Sequence, residues 1–370
     1  MPRLDGLTPL RGLAALWVVL FHADVILVFR QFGGLLDRGA TGLISHGYLW
    51  VDFFFLLSGF VIAHVYGDRL AGGGWSAARD YLAARFARIY PLHLATLALL
   101  IPLRLLAGDL FPAMQDGSWS SFMAWRAIPS NLLLTHAMNQ HVYLSWNIVS
   151  WSIGAEWWTY VVALGLVRLI HRRAPWRAGA AALCGAAGLA VLVRLVPGHG
   201  LDITFDYGFF RCLFEFILGL ALYQAWRMGL MREQLRQDAM PVVLLLMIAA
   251  LFHRQSNDLG VVPLFMLLIL AVSYNQGRIS RVLAARPLLY LGEVSYALYM
   301  MHGVWFMIFW FALPELRRRG LWVPRGWLFA ALFIVLSLLS ADLVHRAFEV
   351  KARGWTRRVL SSAPPEPVLK

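Results

Sequence analysis

The chain has 370 residues, 60% hydrophobic and only 14% charged, with a mean hydropathy of +0.63 and a net charge of +13. A soluble domain is about 25% charged, so the composition argues against that class. Nucleic acid is set aside as a partner, because the basic residues sort with membrane topology. The only cysteines, Cys184 and Cys212, lie in apolar segments and offer neither a disulfide framework nor a thiolate metal site, and no metal is expected.

The apolar residues come in blocks of about twenty, the pattern of an all-α, polytopic membrane helical bundle. Ten spans are predicted: Thr8–Phe29, Ser45–Tyr66, Phe86–Gly108, Ser145–Ile170, Ala178–Val196, Gly208–Trp226, Ala239–His253, Leu259–Tyr274, Leu288–Ala312 and Gly326–Phe348. The seventh and eighth are short enough to form one tight helical hairpin. Roughly twice as many Lys and Arg fall on the amino-terminal side as on the other, so both termini are placed in the cytoplasm. The run Arg317–Arg319 violates this rule.

The first span has a basic start and an apolar core, as a signal peptide would. Arg11, His22 and Asp24 interrupt it and no small-x-small site follows, so it is read as retained. Arg11 and His22 are eleven residues apart, which is within about 20° of three helical turns. They share one face with a rise of roughly 16 Å between them. Such a pair on a spanning helix is costly in lipid and marks a bundle interior or water-filled cavity.

The second span carries Asp52 and the pair Ser58-Gly59. Arg85 and Arg88 flank the start of the third. The long external loop Asp109–Leu144, with Pro112, Pro129 and tryptophans within it and at its ends, is expected to cap the bundle or dip into the interface. The fourth span carries Glu156, and the sixth has Arg211 and Glu215 at i,i+4, a spacing that neutralises itself. The ninth carries Tyr299 and His302. Residues 1–350 form the transmembrane domain, and 351–370 read as a basic, Pro-rich cytoplasmic tail that is disordered.

Sorting by depth places His22, Asp52, Glu156 and His302, from four helices, at one level toward the outside. Arg11, Arg85 and Arg88 cluster at the inner end. A cationic mouth suits phosphates, and a histidine with a carboxylate suits proton removal from a hydroxyl near neutral pH. Each residue also has a plainer reading. Arg85 and Arg88 serve equally as positive-inside anchors, Asp52 as a helix cap, Ser58-Gly59 as a packing contact and His302 as a hydrogen-bonded core residue.

Arg11 and His22 with ten residues between, Val51-Asp52-Phe53-Phe54-Phe55-Leu56-Leu57-Ser58-Gly59-Phe60, Arg85-Phe86-Ala87-Arg88-Ile89-Tyr90-Pro91, Trp151-Ser152-Ile153-Gly154-Ala155-Glu156 and Ser295-Tyr296-Ala297-Leu298-Tyr299-Met300-Met301-His302 occur in one order. In this the chain, from Leu4 to Glu349, resembles the acyltransferase 3 family, bacterial inner-membrane proteins that O-acylate carbohydrates and some macrolides. The resemblance implies an acyl-CoA donor in the cytoplasm, with acetyl-CoA expected, and a hydroxyl acceptor at the outer face: a surface or secreted polysaccharide or its lipid-linked precursor.

On that reading His22 is the catalytic base, oriented by Glu156 or Asp52. Arg11, Arg85 and Arg88 hold the coenzyme A phosphates, while Asp52, Ser58, Tyr299 and His302 face the substrate. The chain departs from the family where Glu349 is followed by Val350-Lys351 rather than by the Glu-x-Pro common there, and that end is given no role. It reads as the stand-alone form, without the fused esterase-like domain of many members. A macrolide-like acceptor and a glycan transporter with a buried proton relay are the alternatives.

Overall fold

The computed structural model describes residues 4, 6–110, 117–171 and 175–361. Among them there is no strand, and eight helices are long and apolar enough to cross a membrane. In chain order the principal helices are α1 (Leu7–Phe29), α2 (Trp50–Gly72), α3 (Trp75–Leu110), α4 (Trp151–Ile170), α5 (Pro175–Leu195), α6 (Gly208–Arg227), α7 (Ala239–His253), α8 (Val261–Tyr274), α9 (Arg286–Glu293), α10 (Ser295–Arg318), α11 (Gly326–Val344) and α12 (Val350–Leu360). The two shorter apolar helices, α7 and α8, pack on one another as a hairpin. With the eight long helices they make ten apolar segments, as the sequence predicts.

Burial separates centre from rim. The apolar windows of α2, α6 and α10 are 72%, 67% and 78% buried, whereas those of α5 and the α11–α12 segment are 28% buried and face outward. Hydrophobicity does not draw helices together in lipid, so close backbone packing must. Gly59 of α2 meets Gly219 of α6, where a Cβ on either would strike the other helix's backbone. Gly12 of α1 meets Gly292 of α9 in the same way, a Cβ on Gly12 lying 2.7 Å from the Gly292 backbone nitrogen.

Three boundaries differ most from the sequence reading. The third helix starts eleven residues early, at Trp75, and its 36 residues span about 54 Å, well beyond a hydrocarbon core of about 30 Å. Arg85 and Arg88 therefore sit well inside a helix rather than at its start. The ninth span breaks at Val294 into α9 and α10. The last continues beyond the predicted end, through a π turn, His345–Glu349, into α12. Residues 351–360 are thus helical, against the expected disordered tail, because this basic amphipathic stretch packs on α3. Residues 362–370 lie outside the described residues.

Over one end of the bundle the segment before α4 forms a cap from short turns, Gly117–Phe122 and Ile128–Leu132. Trp146 is fully buried and its Nε1 donates to Ala124 O at 2.9 Å. His136 Nε2 lies 3.2 Å from Ser150 Oγ and ties the cap to the start of α4.

Candidate active site

The α1–α9 glycine contact lets Arg11 reach across to the break before α10. Its Nη2 donates to Gly292 O at 2.8 Å and its Nε to Ser295 Oγ at 2.9 Å. On α2, Ser58 and Gly59 point about 100° apart: Gly59 packs on α6, and Ser58 donates to Glu156 Oε1 of α4. One turn along α4, Tyr160 donates to the same oxygen at 2.5 Å. From α3, Arg85 donates to Tyr66 Oη at 2.7 Å and Arg88 pairs with Glu349 at 2.9 Å.

These groups surround a cavity of about 150 Å³, lined among others by Arg11, Ser58, Arg85, Arg88, Glu156 and Tyr299. It is slim beside the roughly 300–1,000 Å³ of sites that enclose whole small ligands, so it suits the narrow end of a longer molecule. One wall is cationic. The lining also carries Glu156, whose Oε1 accepts from two hydroxyls, so this carboxylate orders the wall rather than standing free as a base.

His22 and His302 form a separate layer beside the cavity. His22 Nδ1 is 2.9 Å from Val18 O and 3.3 Å from His302 Nε2, while His302 Nδ1 is 3.2 Å from Leu298 O. A carbonyl only accepts, so both Nδ1 atoms carry the hydrogen and His302 Nε2 accepts from His22. This leaves the His22 Nε2 lone pair as the proton acceptor of the pair. His302 is fully buried, and its ring lies 5.3 Å from that of Tyr299, which lines the cavity and bonds Ser152 Oγ at 2.8 Å.

The level of four ionisable groups expected from the sequence is thus divided. His22 and His302 meet; Glu156 belongs with Arg11, Arg85 and Arg88; Asp52 joins neither set. Asp52 is fully buried and takes Arg211 of α6 in a bidentate pair, Nε at 2.8 Å and Nη2 at 2.6 Å. Arg211 accordingly pairs across helices rather than with Glu215 on its own. A two-pronged contact with a rigid guanidinium satisfies both Asp52 oxygens, so this carboxylate clamps α2 to α6 away from the cavity.

The sequence assigns no role to Tyr160 or Ser295, and it names Glu349 only as a departure from the family pattern. Tyr160 was within reach of an i,i+4 argument from Glu156, whereas nothing local connects Glu349 to Arg88. Among the described residues no group of three or more His, Cys, Asp or Glu is placed to hold a metal ion.

Fold and site together define a multi-pass helical membrane protein with an ionisable internal cavity. A family model described as an acyltransferase domain matches residues 4–346, and the chain belongs to that acyltransferase family. The acyltransferase MdmB of Streptomyces mycarofaciens is 26% identical over 98% of this chain and 95% of its own length. Protein 2 in the picA locus of Rhizobium radiobacter is 45% identical over 26% of this chain and 42% of its own. No solved structure matches the chain.

Proposed function

We propose that the chain is a membrane-bound O-acyltransferase of the bacterial inner membrane. It carries an acyl group, acetyl in the first instance, from cytoplasmic acyl-CoA to a hydroxyl of a surface or secreted polysaccharide or its lipid-linked precursor. The observation that supports this best is the arginine-walled cavity that ends beside a layer of two histidines. A slim, cationic cavity fits a thioester arm with phosphates behind it.

On this reading Arg11, Arg85 and Arg88 draw in the donor, and the acceptor hydroxyl approaches His22. Proton transfer to His22 Nε2 frees the hydroxyl oxygen to attack the thioester carbonyl. The carbon–sulfur bond breaks, and the proton passes to the departing thiolate. Val18 O and His302 hold the imidazole in the required tautomer, a role expected, from the sequence, of Glu156 or Asp52. Glu156 serves the cavity wall instead, holding Ser58 and Tyr160 toward the donor.

Membranes containing the protein and supplied with radiolabelled acetyl-CoA test this. His22→Ala is expected to lower transfer to glycan about 10²–10⁴-fold. Wild-type transfer by that variant would overturn the mechanism, and label recovered in a lipophilic small acceptor rather than glycan would overturn the acceptor.

A further inference from the structure

The cationic wall continues beyond the cavity, onto a helix to which the sequence reading gave no role. Helix α12 runs along α3 and is pinned to it at two points. At one, Arg88 pairs with Glu349 at 2.9 Å; at the other, Ser361 Oγ donates at 2.8 Å to Asp80, which Arg69 also holds at 2.5 Å. Between the pins Glu349, Arg353 and Arg357 repeat every four residues and so occupy one stripe of the helix. Lys351 and Arg358 are exposed on the outer side.

Arg353 is partly buried and lies within electrostatic reach of Arg85, Arg88, Arg357 and Glu349. Four arginines therefore gather around Glu349, and the two that line the cavity also have Glu156 in the same lining. Among the described residues Asp80 is already held by Arg69, and Arg353 forms no hydrogen bond or ion pair. Like charges gathered on facing helices repel unless an anion sits between them, and the planar guanidinium fork matches phosphate oxygens. Arg85 and Arg88 belong both to this seam and to the cavity, so a ligand with a narrow arm and a phosphorylated end would fill both.

We propose that Arg353 and Arg357 of α12 form, with Arg85 and Arg88, a phosphate-binding seam that takes the nucleotide end of the donor. This rests on the acyl-CoA reading above and adds to it residues that the sequence placed in a disordered tail. The same phosphate chemistry is offered by anionic lipid headgroups at the inner membrane surface, so the test must separate the two sources.

Calorimetry on the full-length protein in neutral detergent, with coenzyme A, its 3′-dephospho form and phosphatidylglycerol micelles as probes, makes that separation. Arg353→Gln and Arg357→Gln should each weaken coenzyme A binding about ten- to a hundredfold, with a ligand-free melting temperature no lower than wild type. Arg358→Gln, on the exposed side, should bind as wild type. Arg353→Lys, which keeps the charge without the fork, should fall between and serves if the glutamine variant does not fold. Wild-type affinity in both glutamine variants would overturn the seam and leave the donor reading intact. A wild-type protein without affinity for coenzyme A would overturn both, and Arg353-dependent binding of phosphatidylglycerol alone would reassign the seam to lipid.

Discussion

Asp52 shows how much a single contact decides. In the sequence it is one of several buried acids, and its outward position suggests contact with substrate. In the structure both its oxygens face Arg211, with the two side chains 1% and 0% exposed. Breaking such a pair strands a charge in a medium that cannot solvate it, at a cost of about 3–5 kcal/mol. Asp52→Ala is therefore expected to lower the melting temperature in detergent sharply, with near-normal acyl transfer per folded molecule. Replacing both partners, Asp52→Leu with Arg211→Met, should recover most of that stability. Normal melting with lost transfer would instead place Asp52 in the chemistry. Ser58 and Gly59 make the complementary point: the packing and polar readings are both realised, by neighbours on adjacent faces of one helix.

At the scale of elements, the cap before α4 and helix α12 behave differently. The cap is held by neutral hydrogen bonds around His136, and burial pushes His136 down from its ordinary 6.5 to about 4. The opened cap binds this proton more readily than the closed one between those two values. The closed form therefore loses stability as pH falls from about 6.5 toward 4 and keeps it above. Hydrogen exchange of residues 123–147 should accelerate at pH 5 relative to pH 7.5, and the change should shrink in His136→Phe, the remainder falling to His141, which burial also holds below its usual value. Equal exchange at both pH values would sink this account. Helix α12, by contrast, is held by charge, through Glu349 and Asp80. Its amphipathic stripe was present in the sequence, but the Pro-rich residues beyond it drew the whole tail into one disordered segment.

For the whole molecule, the distribution of basic residues is consistent with both termini on one side, and the structure supplies a reason for the exception. Arg318 and Arg319 both bind Glu315 at 2.6 Å, and Arg317 donates to Gln31 O at 2.9 Å and stacks on Phe32. These three arginines are held by local partners, so they are poor witnesses to topology. A cysteine-free background carrying Leu4→Cys or Arg358→Cys should resist an impermeant maleimide in intact cells and react after permeabilisation. Trp322→Cys, in the exposed turn between α10 and α11, should react in both. Labelling of Leu4→Cys in intact cells would reverse the orientation.

Apolar blocks determined the all-helical bundle from the sequence alone, eight of them long enough to cross a membrane and two shorter. In lipid a helix satisfies its own backbone hydrogen bonds, so span assignment is a local matter. The family was legible for a related reason: its motifs are short, lie on single helices and keep one order. What the sequence could not determine was which buried polar groups meet. Helix rotation and offset are set by close contacts such as Gly12 on Gly292 and Gly59 on Gly219, and these involve residues far apart in the chain. Only the tertiary structure therefore decided that Glu156 faces the arginines, that His22 faces His302, that Asp52 is a clamp, and that Glu349 draws the last helix onto Arg88.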